Sequence, residues 1–391
     1  MKKWVKRIAL TFSVLVVIAG GGAFYIAHSV GKAVPRSQVL KGKPQSPHGD
    51  TNILLLGLDS RRANDGTDLP RKLLDLLHVG SSSSVGGYNT NTMILIHIPA
   101  SGGKAVAISI PRDDYVAVPG LGMKKIKEAY GLVKYTSETL LVKQGIPNPQ
   151  REFLSREAGR AATIATIHDL LGVPIDHFAE VNLVGFYDLA TALGGVQVCL
   201  KHAVNDSQYS GAIFPAGLQT ITGADALKFV RQRHGLPQGD LDRTHRQQAF
   251  IAGVITKLRS EGIFSDLGRI SSLLAVAKKD VVIDSGWDVL GFLPEAKSLT
   301  GGRITFYTLP IEGFAMRNGQ SVNLIDLVRV RAFVQSIFFP PKITPTPSPS
   351  TSSSTSSPPA SASATPTPTK SIFTNNANGV PVQGGKIPCV N

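Results

Sequence analysis

The stretch LKFVRQRHGLPQGDLDRTHRQQAF, residues 227–250, sets Arg231, Arg233, Arg243 and Arg246 close to Asp240 and Asp242. A guanidinium offers a planar fork of donors that meets phosphate oxygens in pairs. Three kinds of surface answer to such a cluster: a nucleic-acid interface, a solvated charged face, or a site for a multiply charged phosphate. Arg231 and Arg233 stand two residues apart and share a face only on a strand. LKFVRQRH reads as strand, which would make the pair a two-pronged anion clamp. Asp242 is the expected N-cap of a helix over about 243–259, with Phe250, Val254 and Leu258 as its buried stripe. Arg243 and Arg246 then fall in the first turn, where a cation opposes the helix dipole at a cost of ~0.3–1 kcal/mol each. An anion held at that N-terminus reverses the cost, which favours the phosphate site over a solvated face.

Two other places pair the same charges. LLLGLDSR ends in Asp59 and Arg61, and ISIPRD ends in Arg112 and Asp113. Polar residues directly after buried strands stand where open sheets place their sites. Several arginines together match a pyrophosphate, and an aspartate-held Mg²⁺ would complete its neutralisation. His97, His202, His234 and His245 lack metal-ligand spacing with one another and read as surface or core residues. Neither a G-x-S-x-G elbow nor a GxxxxGK[ST] loop occurs.

The elements that must position these groups begin at TNILLLGLDSRR, whose apolar run Ile53–Leu56 suits a strand buried on both faces. A short helix over 70–79, strands over 91–100 and 105–116, a helix over 156–171 stopped by Gly172 and Pro174, and strand VQVCL (196–200) follow. The second half adds the arginine-rich stretch, strand 303–311 and a helix near 322–338. Strands and helices mixed in this way predict an α/β or α+β sandwich. The specific expectation is a three-layer-like α/β sandwich, a central mixed sheet flanked by helices, in one domain over 50–340.

The ends set the compartment. Residues 1–7 form a basic flank, and residues 8–27 carry no charge over a length that matches a bilayer core. This predicts an uncleaved transmembrane anchor over 8–30, a spacer over 31–49 and an extracellular domain, by the positive-inside rule. A net charge of +14 asks for anionic partners, and the anchor's topology argues against nucleic acid. Outside the membrane, Cys199 and Cys389 can form a disulfide, although two unpaired thiols remain an alternative. Residues 341–372, rich in Pro, Ser and Thr, cannot bury a core and read as a disordered tail. Residues 373–391 form a C-terminal segment that such a disulfide would tether.

Taken in order, the blocks NILLLGLDSR, NTMILIHIPA, SIPRDDYV, KIKEAYG, FYDLATALGGVQV and ALKFVRQRHGLPQGDLDRTHRQQ resemble the LytR-CpsA-Psr family of cell-wall glycopolymer ligases. The resemblance covers 50–260 and extends towards 340. It implies a membrane-anchored enzyme at the cell membrane, facing the wall, whose apolar interior holds a polyprenyl-pyrophosphate-linked glycan. The expected reaction is Mg²⁺-dependent transfer of the glycan phosphate to a peptidoglycan acceptor. Two alternatives are a polyprenyl-pyrophosphate hydrolase and a non-catalytic surface protein that binds anionic polymer or lipid. By position, Asp59 resembles a metal ligand or catalytic carboxylate, and Asp240 the family's other acidic position. Arg61, Arg112, Arg231, Arg233, Arg243 and Arg246 resemble the pyrophosphate shell, with Arg112 also catalytic and Lys125 and Gln247 as flanking polar contacts. Either Asp59 or Asp240 would accept the acceptor's proton. The family's Arg-Ser-Asp-Thr block stands here as Asn89-Thr90-Asn91-Thr92, so Asn91 replaces a metal-binding carboxylate and weaker Mg²⁺ affinity is expected.

Overall fold

The computed structural model describes residues 34–80, 87–263, 266–289, 291–292, 294–296, 304–340, 381–383 and 386–391. Strands β1 (Arg36–Ser37) and β2 (Thr51–Leu58) lead into helix α1 (Arg71–Leu76), β3 (Thr90–Ile98), β4 (Ala105–Ser109) and the hairpin β5 (Tyr115–Val118)–β6 (Gly122–Lys125). Helices α2 (Glu128–Lys143) and α3 (Gln150–Leu171) follow, then β7 (His177–Val181), α4 (Leu183–Ala192), β8 (Val196–Leu200), β9 (Val204–Asp206), β10 (Ala212–Phe214) and β11 (Gly217–Ile221). Next come α5 (Gly223–Arg231), α6 (Asp240–Ser260), α7 (Leu267–Asp280), β12 (Val281–Asp284) and β13 (Ile304–Thr308). The hairpin β14 (Gly313–Arg317)–β15 (Gln320–Leu324), α8 (Leu327–Phe338), β16 (Val382–Gln383) and β17 (Cys389–Val390) complete the chain.

The main sheet has eight strands in the order β1-β12-β7-β2-β3-β4-β13-β16, with parallel and antiparallel pairs. Its composition explains its place. On one face Leu54, Leu56, Met93, Leu95 and Phe178 pack on Ile164, Ile167 and Leu171 of α3 and on Val330, Phe333 and Val334 of α8. On the other, Ile53, Ile94, Ile96, Ala107 and Phe306 pack on Ala252 of α6. A strand covered on both sides needs apolar residues at successive positions, and TNILLLGL supplies them. Beyond α6 lies a fourth layer, the small sheet β11-β8-β17, whose Val196, Val198 and Leu200 face Ala249 and Phe250. The central mixed sheet flanked by helices is as expected; this additional sheet is not.

Three local expectations change. LKFVR is the end of α5 and not a strand: Ala226, Leu227, Phe229 and Val230 are all buried, a helical spacing that tertiary packing imposes over the strand preference of Phe and Val. Helix α6 begins at Asp240, three residues ahead of the expected start, after Gly239 at φ +53°. Asp240 and Asp242 therefore occupy its first turn, and Asp242 accepts from the Gln238 backbone N–H at 2.9 Å instead of capping the helix. Acids and not arginines fill the opening turn, so the helix dipole there is already compensated and does not call for a bound anion. The segment near 322–338 is a strand and then a helix, divided at Asp326, whose side chain accepts from Val328 and Arg329 N–H at 2.8 and 3.1 Å.

The folded part also begins earlier than the expected spacer allows. β1 pairs with β12, and Val34 and Leu40 are buried. The expected anchor (8–30) and the Pro/Ser/Thr tail (341–372) lie outside the described residues, among which no helix is long and apolar enough to cross a membrane. The C-terminal segment returns to the domain: β16 pairs with β13, β17 pairs with β8, and Cys199 and Cys389 are joined by a disulfide.

Candidate active site

Strand register builds a cleft between the main sheet and the helices on its second face. Leu55 of β2 lies opposite Ile94 and Ala179, and Gly57 lies opposite Thr92 and Val181. Residues directly opposite or two apart share a face, so these six form one wall. Leu183, Phe186 and Leu189 from α4, Leu227 and Val230 from α5, and Phe250, Ile251 and Val254 from α6 supply the apolar surface facing it. The cavity holds about 720 Å³, within the range of small-molecule sites.

Charge gathers at one end. Asp59, Asn91, Arg112, Arg231, Arg233, Arg243 and Gln247 all line the same cleft. Five of the seven sit at or near the end of an element: Asp59 after β2, Asn91 at the start of β3, Arg112 after β4, Arg231 at the end of α5 and Arg243 near the start of α6. A chain of contacts joins them. Asn91 Nδ2 donates to Asp59 Oδ2 at 3.1 Å, and Arg112 NH1 donates to Asn91 Oδ1 at 2.8 Å. Arg112 Nε approaches Asp240 Oδ1 at 3.1 Å without hydrogen-bond alignment, while Arg243 donates to Asp240 Oδ2 at 2.9 Å. Arg231 donates to the Leu77 carbonyl at 3.2 Å and Gln247 to the Val230 carbonyl at 3.4 Å.

Burial tunes these groups. It lowers the affinity of Arg231 for its proton, with Asp59 acting against the shift and Arg61 and Arg112 adding to it. Arg243 is brought to about 10 by burial, with Asp240 opposing and Arg112 reinforcing. Guanidiniums so placed gain strongly from an anion, because the interior screens their attraction poorly. Beside them, Asp113 receives Lys125 at 3.1 Å, Lys127 at 2.7 Å and Arg112 at 3.6 Å. Burial alone would raise its pKa, but those cations hold it at about 2. Burial pushes Asp114 well above the usual carboxylate range, with Asp113 and Asp240 adding to the rise and a hydrogen bond from Asn323 opposing it.

Three of the residues expected around the pyrophosphate, Arg61, Lys125 and Arg246, are not among those that line the cleft. Arg246 is fully buried, donates to the Asn391 carbonyl at 2.6 Å and lies 5.0 Å over the Phe229 ring, outside the residues that line the cleft. Lys125 faces a second pocket and reaches the charged end through Asp113. Arg61 follows Asp59 and acts electrostatically on Arg231. The clamp imagined for Arg231 and Arg233 does not arise from strand alternation, since Arg231 ends a helix and Arg233 follows the extended Gln232. Sequence reasoning missed Asp206, Gln208, Tyr209 and Ser210, which line the cleft from the β9–β10 connection. It also missed Lys127 and Asn323. His97 is a core residue, held by Asn52 at 2.9 Å and stacked on Phe338.

The fold and site together define a protein that presents a cluster of cations at the mouth of an apolar cleft. The chain belongs to the LytR_cpsA_psr family, whose pattern matches residues 23–334. It is 42% identical over 290 residues to the cell wall biosynthesis protein LcpA of Corynebacterium glutamicum, a match covering 73% of this chain and 55% of LcpA. The chain thus spans about half the length of that relative. It is 29% identical over 336 residues to the polyisoprenyl-teichoic acid–peptidoglycan teichoic acid transferase TagU of Oceanobacillus iheyensis, covering 82% and 88% of the two chains. Among solved structures, TagT bound to LI-WTA matches with a TM-score of 0.51 and 21% identity over 77% of this chain and 96% of that one. That likeness carries the fold.

Proposed function

We propose that the protein is a membrane-anchored phosphotransferase that moves a glycopolymer from a polyprenyl-pyrophosphate carrier onto peptidoglycan. One observation carries the reading: Arg112, Arg231, Arg233 and Arg243 line a cleft whose sheet and helix walls also present a broad aliphatic and aromatic surface, from Leu55, Ile94, Leu183, Phe186, Leu227 and Phe250. A prenyl chain needs the second environment and a pyrophosphate the first. The family membership, and the transferase name of the relative TagU, support the same chemistry. The uncharged stretch over residues 8–27 supports placement at the cell membrane with the domain outside.

In this reading Arg112 and Arg243 turn from Asp240 to the phosphate oxygens when substrate enters. Catalysis of phosphoryl transfer is largely positioning and charge stabilisation, and arginine forks supply both. The acceptor hydroxyl attacks the glycan-side phosphorus. The bond from that phosphorus to the bridging oxygen breaks, and polyprenyl phosphate leaves with the electron pair. Asp240, freed from its two guanidiniums, takes the hydroxyl proton. Asp59 contributes otherwise: its Oδ1 is buried without a hydrogen-bond partner in the wall of the cleft. That oxygen fits Mg²⁺, which is held by one or two carboxylates together with substrate phosphates and water. No group of three or more His, Cys, Asp and Glu is placed to hold a metal among the described residues, so Asp59 and Asn91 would form only part of the shell. Bound there, Mg²⁺ would draw negative charge from the phosphates.

The test is incubation of the full chain with a polyprenyl-pyrophosphate disaccharide and peptidoglycan fragments, with products followed by mass spectrometry. Transfer of the sugar phosphate is expected. Arg231→Ala should weaken lipid-pyrophosphate binding by about 1.5–3 kcal/mol, the value of hydrogen bonds to a charged group. Cleavage without transfer would make the protein a hydrolase, and binding without turnover would make it a carrier.

A further inference from the structure

The charged end has a second side. Arg112 and Arg243 face the apolar cleft, whereas Asp240, bridged to both, lines a separate polar pocket of about 240 Å³. Arg233 lines both cavities. The remaining walls of the smaller pocket include Asp113, Lys125, Lys127 and Gln238, with Phe314, Ser321 and Asn323 from the β14–β15 hairpin. Hairpin register shows how those last three come together. Phe314 lies opposite Asn323 and Met316 opposite Ser321, so all four share one face. The hairpin is fastened there by Asn323, whose backbone N–H donates to the Asp113 carbonyl at 2.9 Å and whose side chain donates to Asp114 at 2.9 Å. Phe314 is nevertheless 66% exposed and Met316 62% exposed.

We infer that this pocket under the β14–β15 hairpin is the acceptor subsite, and that it takes a polyhydroxylated glycan. The inference rests on the transferase reading above. In phosphoryl transfer the attacking and leaving oxygens stand roughly in line across the phosphorus. If the prenyl phosphate leaves into the apolar cleft, the acceptor hydroxyl must come from another direction, and this pocket is a separate cavity that adjoins the same arginines through Arg233 and Asp240. Asp240, the group assigned to receive the hydroxyl proton, opens onto it. The lining suits a sugar: amide, hydroxyl and ammonium groups for hydroxyl oxygens, and an exposed aromatic ring whose electron-rich face accepts the C–H face of a pyranose.

The experiment titrates an uncharged peptidoglycan disaccharide into the full-length protein by saturation-transfer NMR, without turnover, beside Phe314→Ala and Ser321→Trp. Both substitutions sit at exposed hairpin positions, and near-ultraviolet circular dichroism checks the fold. The disaccharide should bind wild type, weaken about tenfold in Phe314→Ala, as loss of an aromatic contact predicts, and fail to bind Ser321→Trp, which fills the pocket. Equal binding to all three proteins, or none to wild type, overturns the subsite. So does Phe314-dependent attachment to phospholipid vesicles with no effect on the sugar, which would make the hairpin a membrane contact. Turnover assays separate the two readings. Transfer with an unchanged acceptor KM in Phe314→Ala sinks the subsite and leaves the transferase, whereas sugar binding without any donor cleavage sinks the transferase and leaves the subsite.

Discussion

At the scale of single residues, the site is a set of carboxylates whose surroundings assign them different work. Asp113 is held ionised by Lys125, Lys127 and Arg112, with its pKa at about 2. A depressed folded-state value means that its contribution is present above about pH 4, the unfolded aspartate value, and is lost as pH falls towards 2. Wild type should lose about 2 kcal/mol more between pH 4 and pH 2 than Asp113→Asn, read by urea unfolding at each pH. Asp114 acts in the other direction. Its raised value makes it a proton carrier in the folded state, so its contribution grows as pH falls through that value and is complete before the Asp113 window opens. Asn91 divides its amide between Asp59 and Arg112. Asn91→Asp would place a second carboxylate beside Asp59, costing stability through repulsion in the absence of a cation. With Mg²⁺ present it should tighten metal binding by roughly tenfold, about 1.4 kcal/mol. The Mg²⁺-dependent rise in melting temperature measures this without turnover, and an equal rise in both proteins would remove Asn91 from the metal shell.

At the scale of elements, α6 is the part on which the site depends, since it carries Asp240, Arg243 and Gln247 and packs between two sheets. Its close approach to β8 is made at Gly253, where an added Cβ would stand 2.4 Å from the Gln197 carbonyl oxygen and 2.8 Å from Val196 Cγ1. Backbone cannot yield as a flexible side-chain end can, so Gly253→Ala must lift the helix. Overpacking of this kind costs about 1–3 kcal/mol. A melting temperature lowered by about 2–4 °C for each kcal/mol is expected, with weaker pyrophosphate binding as Arg243 shifts. An unchanged melting temperature would show that α6 has slack against β8. How much of this was readable in the sequence follows from what each signal depends on. The run Ile53–Leu56 announced a strand covered on both faces because burial there acts at adjacent positions. Asp59 and Arg112 could be found because they end such strands. The helical state of LKFVR was hidden, because local preference favours a strand and only the packing of Leu227 and Val230 over the cleft decides otherwise. Arg246 resembled a phosphate ligand by position, yet its partner, Asn391, lies 145 residues away. The second pocket was equally hidden, since it depends on an Asp114–Asn323 contact across 209 residues.

At the scale of the whole molecule, strands far apart in sequence, β1 near residue 36 and β16 and β17 beyond residue 381, are drawn into the same body that forms the cleft. β1 closes one edge of the main sheet and β16 the other, while β17 and the Cys199–Cys389 disulfide seal the fourth layer against α6. A link across 190 residues removes loop entropy from the unfolded chain, a contribution that grows only with the logarithm of loop length. It therefore supports the frame as a whole and not one local contact. That frame leaves an apolar space between sheet and helices, where a folded chain would otherwise bring its side chains together. Ala179, the smallest side chain on β7's cleft face, leaves part of that space open beside Leu55. If the space holds a prenyl chain, Ala179→Phe should shorten the chain that can be accepted while leaving the arginines in place. Affinity for a long polyprenyl pyrophosphate should fall at least about tenfold, whereas geranyl pyrophosphate, which needs only the mouth, should change by less than about threefold. Equal losses for both ligands would mean that the substitution disturbs the charged end itself. No loss for either would place the prenyl chain outside the cleft, leaving the arginine cluster as a headgroup site alone.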